Sequence, residues 1–461
     1  MGEAALDKGH SLVPAPPAGI TAQKCSLLVA ASFAAADDMA GTLAHPPAGH
    51  LPLTRHTPAR GRSLTVGADA GVVRVAIVTE SFLPHLNGVT TSVCRVVECL
   101  RDGGHEVVVV APRPAPTSYA GYAVLGLASV PVRQFPVGLP LGGEVETLLR
   151  GFAPDVVHVA SPFVLGASAL SAADRLGLPA VAVYQTDLPS YLRQHGPGAV
   201  GRGAARAAWR WIRRMHELAD LTLAPSCATL AELRAHDVPR VTLWARGVDA
   251  GQFHPGWRLD AGTVALRRSL APDGQVLVGY VGRLAPEKEL QRLTALAGVP
   301  GLRVVLVGDG PTRGQDGAAL ATAGVDAVFL GCREGDDLAR AYAAVDVFVH
   351  TGTRETFGQT LQEAAATGLP VVAPARGGPL DLVDHSRTGL LFDPDDPTSL
   401  RDAVTHLAGD RVKREAMGEA GRAQVAGRSW AGLTDQLLGH YAAARRRRAL
   451  AGAPATRHTR G

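Results

Sequence analysis

Short, unbroken runs of β-branched and aliphatic residues recur along this 461-residue chain, each followed by a stretch with helical spacing. That alternation limits the fold more than any other feature. The first runs lie at 72–79, 103–110, 155–158 and 179–184, with helical stretches at 91–101 and 164–176 between them. Within each run the apolar residues fall consecutively rather than at every second position, the pattern of a strand covered on both faces. Strand–helix alternation of this kind builds parallel, doubly wound α/β sheets. Further strands are expected at 221–224, ahead of a helix capped by Ser226, and from Val241.

The pattern restarts at 275–282 and continues through 303–307, 328–331, 345–350, 370–374 and 389–392, so a second sheet is expected. The chain is long enough for two ordinary domains plus tails. The expected division is an N-terminal Rossmann-like domain over 72–249, a C-terminal one over 250–428, a helix over 429–450 crossing back to the first domain, and a tail over 451–461. Residues 1–71 are rich in Ala, Pro, Gly and His and read as a disordered extension. An apolar run from Cys25 to Ala35 begins too far into the chain for a secretion signal, and no charge-free apolar run reaches 18 residues. The five cysteines are odd in number and lack CxxC or Cys/His spacing, which fits a reduced, cytoplasmic chain without a structural metal.

Residues 355–363 carry the most chemistry. They follow the run at 345–350 and open a helix ending near Gly368 and Pro370. Such a helix starts at the carboxyl edge of a parallel sheet, where open α/β sheets bind ligands. Its first amides, Phe357, Gly358, Gln359 and Thr360, have no partners within the helix and suit a phosphate. Glu355 and Glu363 flank them. One reading makes these ordinary helix acids favoured by the macrodipole; the other makes them grips for ligand hydroxyls. A proline turn places Arg283 and Lys288 just after another strand, where a guanidinium fork and an ammonium can clamp two phosphates. Asn87 and Gly88 mark a tight turn before the helix at 91–101, and Gly88 would allow backbone to approach a ligand. Gln185, Thr186, Asp187 and Tyr191 crowd a loop with groups that bond sugar hydroxyls. The first strand–helix junction lacks GxGxxG, against a dinucleotide cofactor. Asp393 and Asp395 form a DxD on paper but sit in a Pro-Asp turn and are set aside as metal ligands.

Arg202, Arg206, Arg210 and Arg213 fall on one helical stripe beside Trp209 and Trp211. The stripe is either a solvated face with the tryptophans packed inward, or a surface for anionic membranes. Arg445 to Arg448 pose the same choice at the chain's end. A formal charge of +4, with no basic groove interleaved with aromatics, argues against nucleic acid.

Taken together, the Glu355–Glu363 pair, the 282–288 loop, Gly377 to Pro379 and the stretch Ser81 to Val89 resemble a retaining GT-B glycosyltransferase of family 4. The likeness covers about residues 72–440. Within the family, residues 184–187, 244–249 and 350–357 are most similar to actinobacterial GDP-mannose-dependent α-mannosyltransferases. The resemblance implies two Rossmann-like domains facing across a cleft, closing over a sugar nucleotide. It implies transfer of a hexose, mannose from GDP-mannose, to a lipid or glycolipid with retention, no cofactor and no divalent metal. Arg283 and Lys288 would neutralise the leaving diphosphate with the amides of Gly358 to Thr360. Glu355 would hold the donor sugar and Glu363 the ribose, while Gly88 approaches the phosphates. Many relatives carry His where Gln185 stands; Gln is no base, so Gln185 would hydrogen-bond the acceptor beside Asp187 and Tyr191. Alternatives are a UDP-sugar donor with a small or polyprenyl acceptor, or a GT-B sugar-nucleotide epimerase. The chain would be cytoplasmic, with peripheral contact on the membrane's inner face as one outcome.

Overall fold

The computed structural model describes residues 71–452 apart from 86, 133–134, 142, 162, 186–188 and 190–197; for 132, 135, 198–202 and 452 it describes backbone alone. The first half runs β1 (Arg74–Val78), α1 (Gly88–Asp102), β2 (Glu106–Pro112), β3 (Ser118–Tyr119), β4 (Tyr122–Leu127), β5 (Ser129–Val132), β6 (Phe135–Gly138), α2 (Glu144–Phe152), β7 (Val156–Val159), α3 (Val164–Arg175), β8 (Ala180–Val183), α4 (Gly198–Glu217), β9 (Leu221–Ala224), α5 (Cys227–Ala235) and β10 (Val241–Leu243). Its sheet has eight strands in the order β10-β9-β8-β7-β1-β2-β4-β3, parallel except for the edge strand β3. The order reverses at β1, between β7 and β2, so a crevice opens at the carboxyl end of β1. Ala76, Ile77, Val78, Val156, Val157 and Val159 are fully buried, as strands covered on both faces must be.

The second half runs α6 (Ala261–Leu270), β11 (Val276–Val281), β12 (Leu302–Val307), α7 (Arg313–Ala323), β13 (Ala327–Gly331), α8 (Gly335–Ala344), β14 (Val347–Val349), α9 (Gln359–Ala366), β15 (Val371–Pro374), α10 (Pro379–Leu382), β16 (Gly389–Phe392), α11 (Ser399–Gly409), α12 (Arg411–Val425) and α13 (Trp430–Gly452). Its six strands pair in the order β13-β12-β11-β14-β15-β16, all parallel, reversing between β12 and β14 at β11. Residues 283–288 leave the end of β11 and 350–358 the end of β14, so both candidate loops rise from that reversal.

Two departures from the sequence reading stand out. Residues 118–152 form β3 to β6 and α2, elements that the alternating pattern does not announce because the strands are short and interrupted by Gly and Pro. And α1 begins at Gly88, not 91: Asn87 is its N-cap, accepting from Val89 N at 2.9 Å and Thr90 N at 3.1 Å, so the Asn-Gly pair starts the helix directly.

α13 crosses to the first domain. Leu433, Leu437, Tyr441 and Ala444 join the core beneath β1 and α1, each large aliphatic side chain contributing about 1.5–3 kcal/mol of burial. Tyr441 Oη lies 2.7 Å from His158 Nδ1, and Trp244 Nε1 donates to Leu433 O. The two crossings run side by side, joined by Val248 N donating to Arg428 O at 2.8 Å. The terminal arginines are not simply solvated. Arg448 pairs with Asp174 at 2.9 Å and Asp220 at 3.1 Å, and Arg445 reaches Asp155 at 3.5 Å, so half of that run docks onto the first domain.

Candidate functional site

α9 starts at Gly358 in a left-handed conformation, φ +105°, which a glycine adopts without steric cost. No side chain caps this helix among the described residues, so its first amides point into the cleft at the end of β14. The backbone ahead of it is held from behind. Gly378 N donates to Glu355 O at 2.8 Å, and a methyl group on Gly378 would lie 2.4–2.6 Å from backbone atoms of Phe357. The glycine-rich loop after β15 is therefore a buttress for the α9 start.

Lys288 and Glu355 meet at 2.7 Å across the two loops. Thr351 Oγ1 donates to Lys288 O at 2.6 Å and fixes the turn that carries the ammonium. Burial alone would raise the Glu355 carboxyl, but Lys288, His350 and Arg246 outweigh it and hold it near 2. The acid is a carboxylate at any physiological pH. His350, 2% exposed, lies with Nε2 3.8 Å from Glu355 Oε2; burial lowers it to about 4, so it is neutral. Arg283 forms an ion pair with Glu287 on the same turn. The two cations expected to clamp phosphate are thus each engaged by a carboxylate in this state.

Glu363 sits farther along α9. Tyr342 Oη donates to its Oε2 at 2.7 Å. Burial raises this carboxyl to about 7 despite bonds from Tyr342 and Gln359. The two acids of the pair thus differ in protonation: Glu355 is held ionised by cations, Glu363 is poised near neutrality by burial.

Two residues that sequence reasoning passed over belong here. Arg246, on the segment joining the domains, is 7% exposed. Its Nη2 donates to Gln185 Oε1 at 2.5 Å, and its guanidinium lies 5.9 Å from the centroid of the Phe357 ring. The Gln362 and Gln359 amides hold this segment through Arg246 O and Gly247 O, both at 3.0 Å. His350 is the other. Both lie within stretches that carry the family likeness, yet a lone Arg or His gives no signal of burial. Gln185 donates to Ala160 O at 3.0 Å and accepts from Arg246. Gly88 is exposed, and a methyl group there would lie 3.0 Å from Arg246 Nη1, so its lack of a side chain makes room for that guanidinium. Asp187 and Tyr191 lie outside the described residues. Asp395 pairs with Arg376, and Asp393 Oδ1 accepts from Asp395 N, so this turn is spent on itself.

On the stripe of α4, Arg210 and Arg213 are exposed, and Arg213 pairs with Glu217 at 3.0 Å. Trp209 is buried, stacked on His236 with centroids 3.9 Å apart, and so serves the domain rather than a membrane. No helix of the described residues is long and apolar enough to cross a membrane.

Comparison with known proteins bears on this arrangement. Residues 86–252 match the family model for Glycosyltransferase Family 4, and 265–424 that for Glycosyl transferases group 1. A GDP-mannose-dependent alpha-mannosyltransferase of Mycobacterium tuberculosis is 51% identical over 82% of this chain and 98% of its own length. One of the same description from Corynebacterium glutamicum is 41% identical, covering 80% and 89%. A sulfoquinovosyl transferase of Arabidopsis thaliana is 34% identical, covering 79% and 72%. Among solved structures, Anabaena HepE in complex with UDP and glucose superposes with a TM-score of 0.65 at 20% identity, covering 80% of this chain and 99% of that one. WaaG, a glycosyltransferase involved in lipopolysaccharide biosynthesis, gives 0.62 at 18%, covering 80% and 99%. With close relatives aligned along nearly their whole length and both domains matched, the chain belongs to glycosyltransferase family 4 and is a GT-B enzyme.

Proposed function

We propose that this enzyme transfers mannose from GDP-mannose to a lipid or glycolipid acceptor, with retention of anomeric configuration and without a divalent metal. The observation that carries this reading is the Lys288–Glu355 pair at the uncapped start of α9. A sugar nucleotide presents a phosphate directly beside sugar hydroxyls, and the pair presents a cation directly beside a hydroxyl acceptor. The mannosyltransferase relatives supply the donor's identity by analogy.

In this reading the diphosphate takes Lys288 and Arg283 from their carboxylates and accepts the amides of Gly358, Gln359 and Thr360. Charge that develops on the leaving phosphate then meets donors already in place. Glu355, ionised and released from Lys288, accepts from the mannose hydroxyls, and Glu363 accepts from the ribose. The acceptor enters from the first domain's edge near Gln185, and Asp187 and Tyr191 are further candidates to bind it. Peripheral attachment on the inner membrane face would draw on Arg206 and Arg210, each worth about 1 kcal/mol beside anionic lipid, with Arg213 already paired to Glu217.

The test is transfer of labelled mannose from GDP-mannose to a glycolipid acceptor, in the presence of chelator, with UDP-glucose as the competing donor. Glu355→Gln and Arg283→Ala are each expected to lose about 10²–10³ in rate, the scale of removing one donor to a developing oxyanion. Wild-type rates in both variants, or preferential transfer from UDP-glucose, overturn the proposal.

A further inference from the structure

We propose that Arg246 is a third cation for the donor's leaving phosphate, delivered by the segment between the domains and aimed by Gln185. This rests on the donor site described above and adds to it a residue outside both phosphate loops.

Charge balance in the cleft is the first argument. Lys288 is matched by Glu355 and Arg283 by Glu287. Arg246 hydrogen-bonds a neutral amide, Gln185, and among the described residues no carboxylate accepts from it. A guanidinium 7% exposed, with no carboxylate hydrogen-bonded to it and only the longer-range charge of Glu355, which Lys288 already shares, is expensive to keep in a protein interior. Burial lowers it only to about 10, so it stays charged at neutral pH. The cost is recovered if an anion binds against it.

Position is the second. Nη1 stands over Gly88 at the start of α1, and the guanidinium faces Phe357 at the start of α9. The cation therefore sits where the two sheets' ligand edges meet, beside the amides expected to hold the diphosphate. Its backbone is tied to α9 through Gln359 and Gln362 while its head group is tied to the first domain through Gln185. Gln185 is thus a positioning residue. Its amide, anchored on Ala160 O, turns the guanidinium fork toward the cleft.

The experiment is calorimetric titration of the full-length enzyme with GDP and GMP, and in parallel with UDP and UMP, so that base preference does not decide the result. Arg246→Gln is expected to weaken diphosphate binding by about 10- to 100-fold, the range of a hydrogen bond to a charged group, and monophosphate binding by less than about threefold. Arg246→Lys keeps the charge but loses the planar fork; it is expected to show the same selectivity at about threefold to tenfold. Thermal melts accompany each variant. Unchanged diphosphate binding in either variant, or equal weakening of diphosphate and monophosphate, overturns the assignment and leaves Arg246 a tie between domains. Arg283→Ala, titrated alongside, separates the two levels: if it leaves diphosphate affinity intact, the donor site itself is misplaced, whatever Arg246 does.

Discussion

The two sheets have the same architecture and end in helix starts of opposite character. At the first domain's carboxyl edge three starts are closed by side chains. Asn87 caps α1, Glu80 accepts Leu165 N at 2.9 Å and closes α3, and Ser226 accepts Thr229 N at 3.1 Å on α5. Asp381 of the second domain reaches across to Cys227 N on α5 as well. At the second domain's edge α9 has no cap and begins on a strained-for-others glycine. Orphan amides are costly unless something satisfies them, so an open start at a sheet's ligand edge marks where an anion belongs. Other helices also start without a side-chain cap, so what marks α9 is the open start together with the Lys288–Glu355 pair beside it.

The largest effect that would break this contrast is expected at Lys288. Lys288→Ala leaves Glu355, 17% exposed, without its ammonium. Stripping one partner from a buried pair costs about 3–5 kcal/mol, and this part-buried pair, with Lys288 25% exposed, is expected to lose less than that. The sign with pH is fixed: the wild-type carboxyl is depressed, so its stabilisation is present above about 4.5 and lost as pH falls toward 2. In the variant the carboxyl rises, and urea melts at pH 5 and pH 8 should show the larger loss at pH 8. Equal loss at both would mean that the pair does not organise the open edge.

Next is Gly378→Ala. The added methyl would meet Phe357 backbone at 2.4–2.6 Å, and that backbone must shift. A displacement approaching 1 Å in a positioning element costs about 10²-fold in rate. The expected outcome is a loss in kcat with a fold that still melts cooperatively. A variant with wild-type kcat would show that the buttress is dispensable.

How much of this was legible beforehand follows the physics of each residue. The alternation of apolar runs marked both sheets because parallel strands are buried on both faces, and the Ser226 cap is local chemistry written in adjacent residues. The strands over 118–138 were not legible: they are short, and β3, β5 and β6 are paired antiparallel, so the signal of a doubly buried run is missing. Glu355 and Lys288 could be named as ligand groups, but their pairing joins loops 67 residues apart and needs the strand order to appear. The same holds for Gly378, whose press on the Phe357 backbone appears only once the loops are folded together. Arg246 shows no local signal at all, since what distinguishes it is burial against both domains.

Glu363 sharpens the comparison from within the open edge. Burial holds its carboxyl near 7, and the ionised form accepts from ribose hydroxyls more strongly than the neutral acid does. Donor binding through that form expels a proton below that value, and the dissociation constant of the intact sugar nucleotide is expected to rise by up to about tenfold per pH unit below 7 and stay flat above. In the ligand-free protein the linkage runs the other way: a raised carboxyl favours the folded state at low pH, and that contribution is lost as pH rises through 7. Glu363→Gln should flatten the binding profile. The diphosphate of a sugar nucleotide has no titration in this window, so a slope that survives in the variant would place the proton elsewhere.

The smallest effect is expected on the closed side, at Asn87→Ala. The side chain caps α1 through two amides and also donates to Ser81 Oγ at 2.5 Å. Loss of such a cap costs about 1 kcal/mol, or roughly 2 °C in melting temperature for a domain of this size. Because the cap is spent inside the protein, the donor KM should move by less than about twofold. The adjoining Gly88 makes this informative: it faces the same cleft, one residue away. Should Asn87→Ala raise the donor KM tenfold while the melt barely shifts, the α1 amides would be serving the ligand after all. The division between a closed edge and an open one would then have to be redrawn as two open edges, with Asn87 standing in for phosphate until the donor arrives.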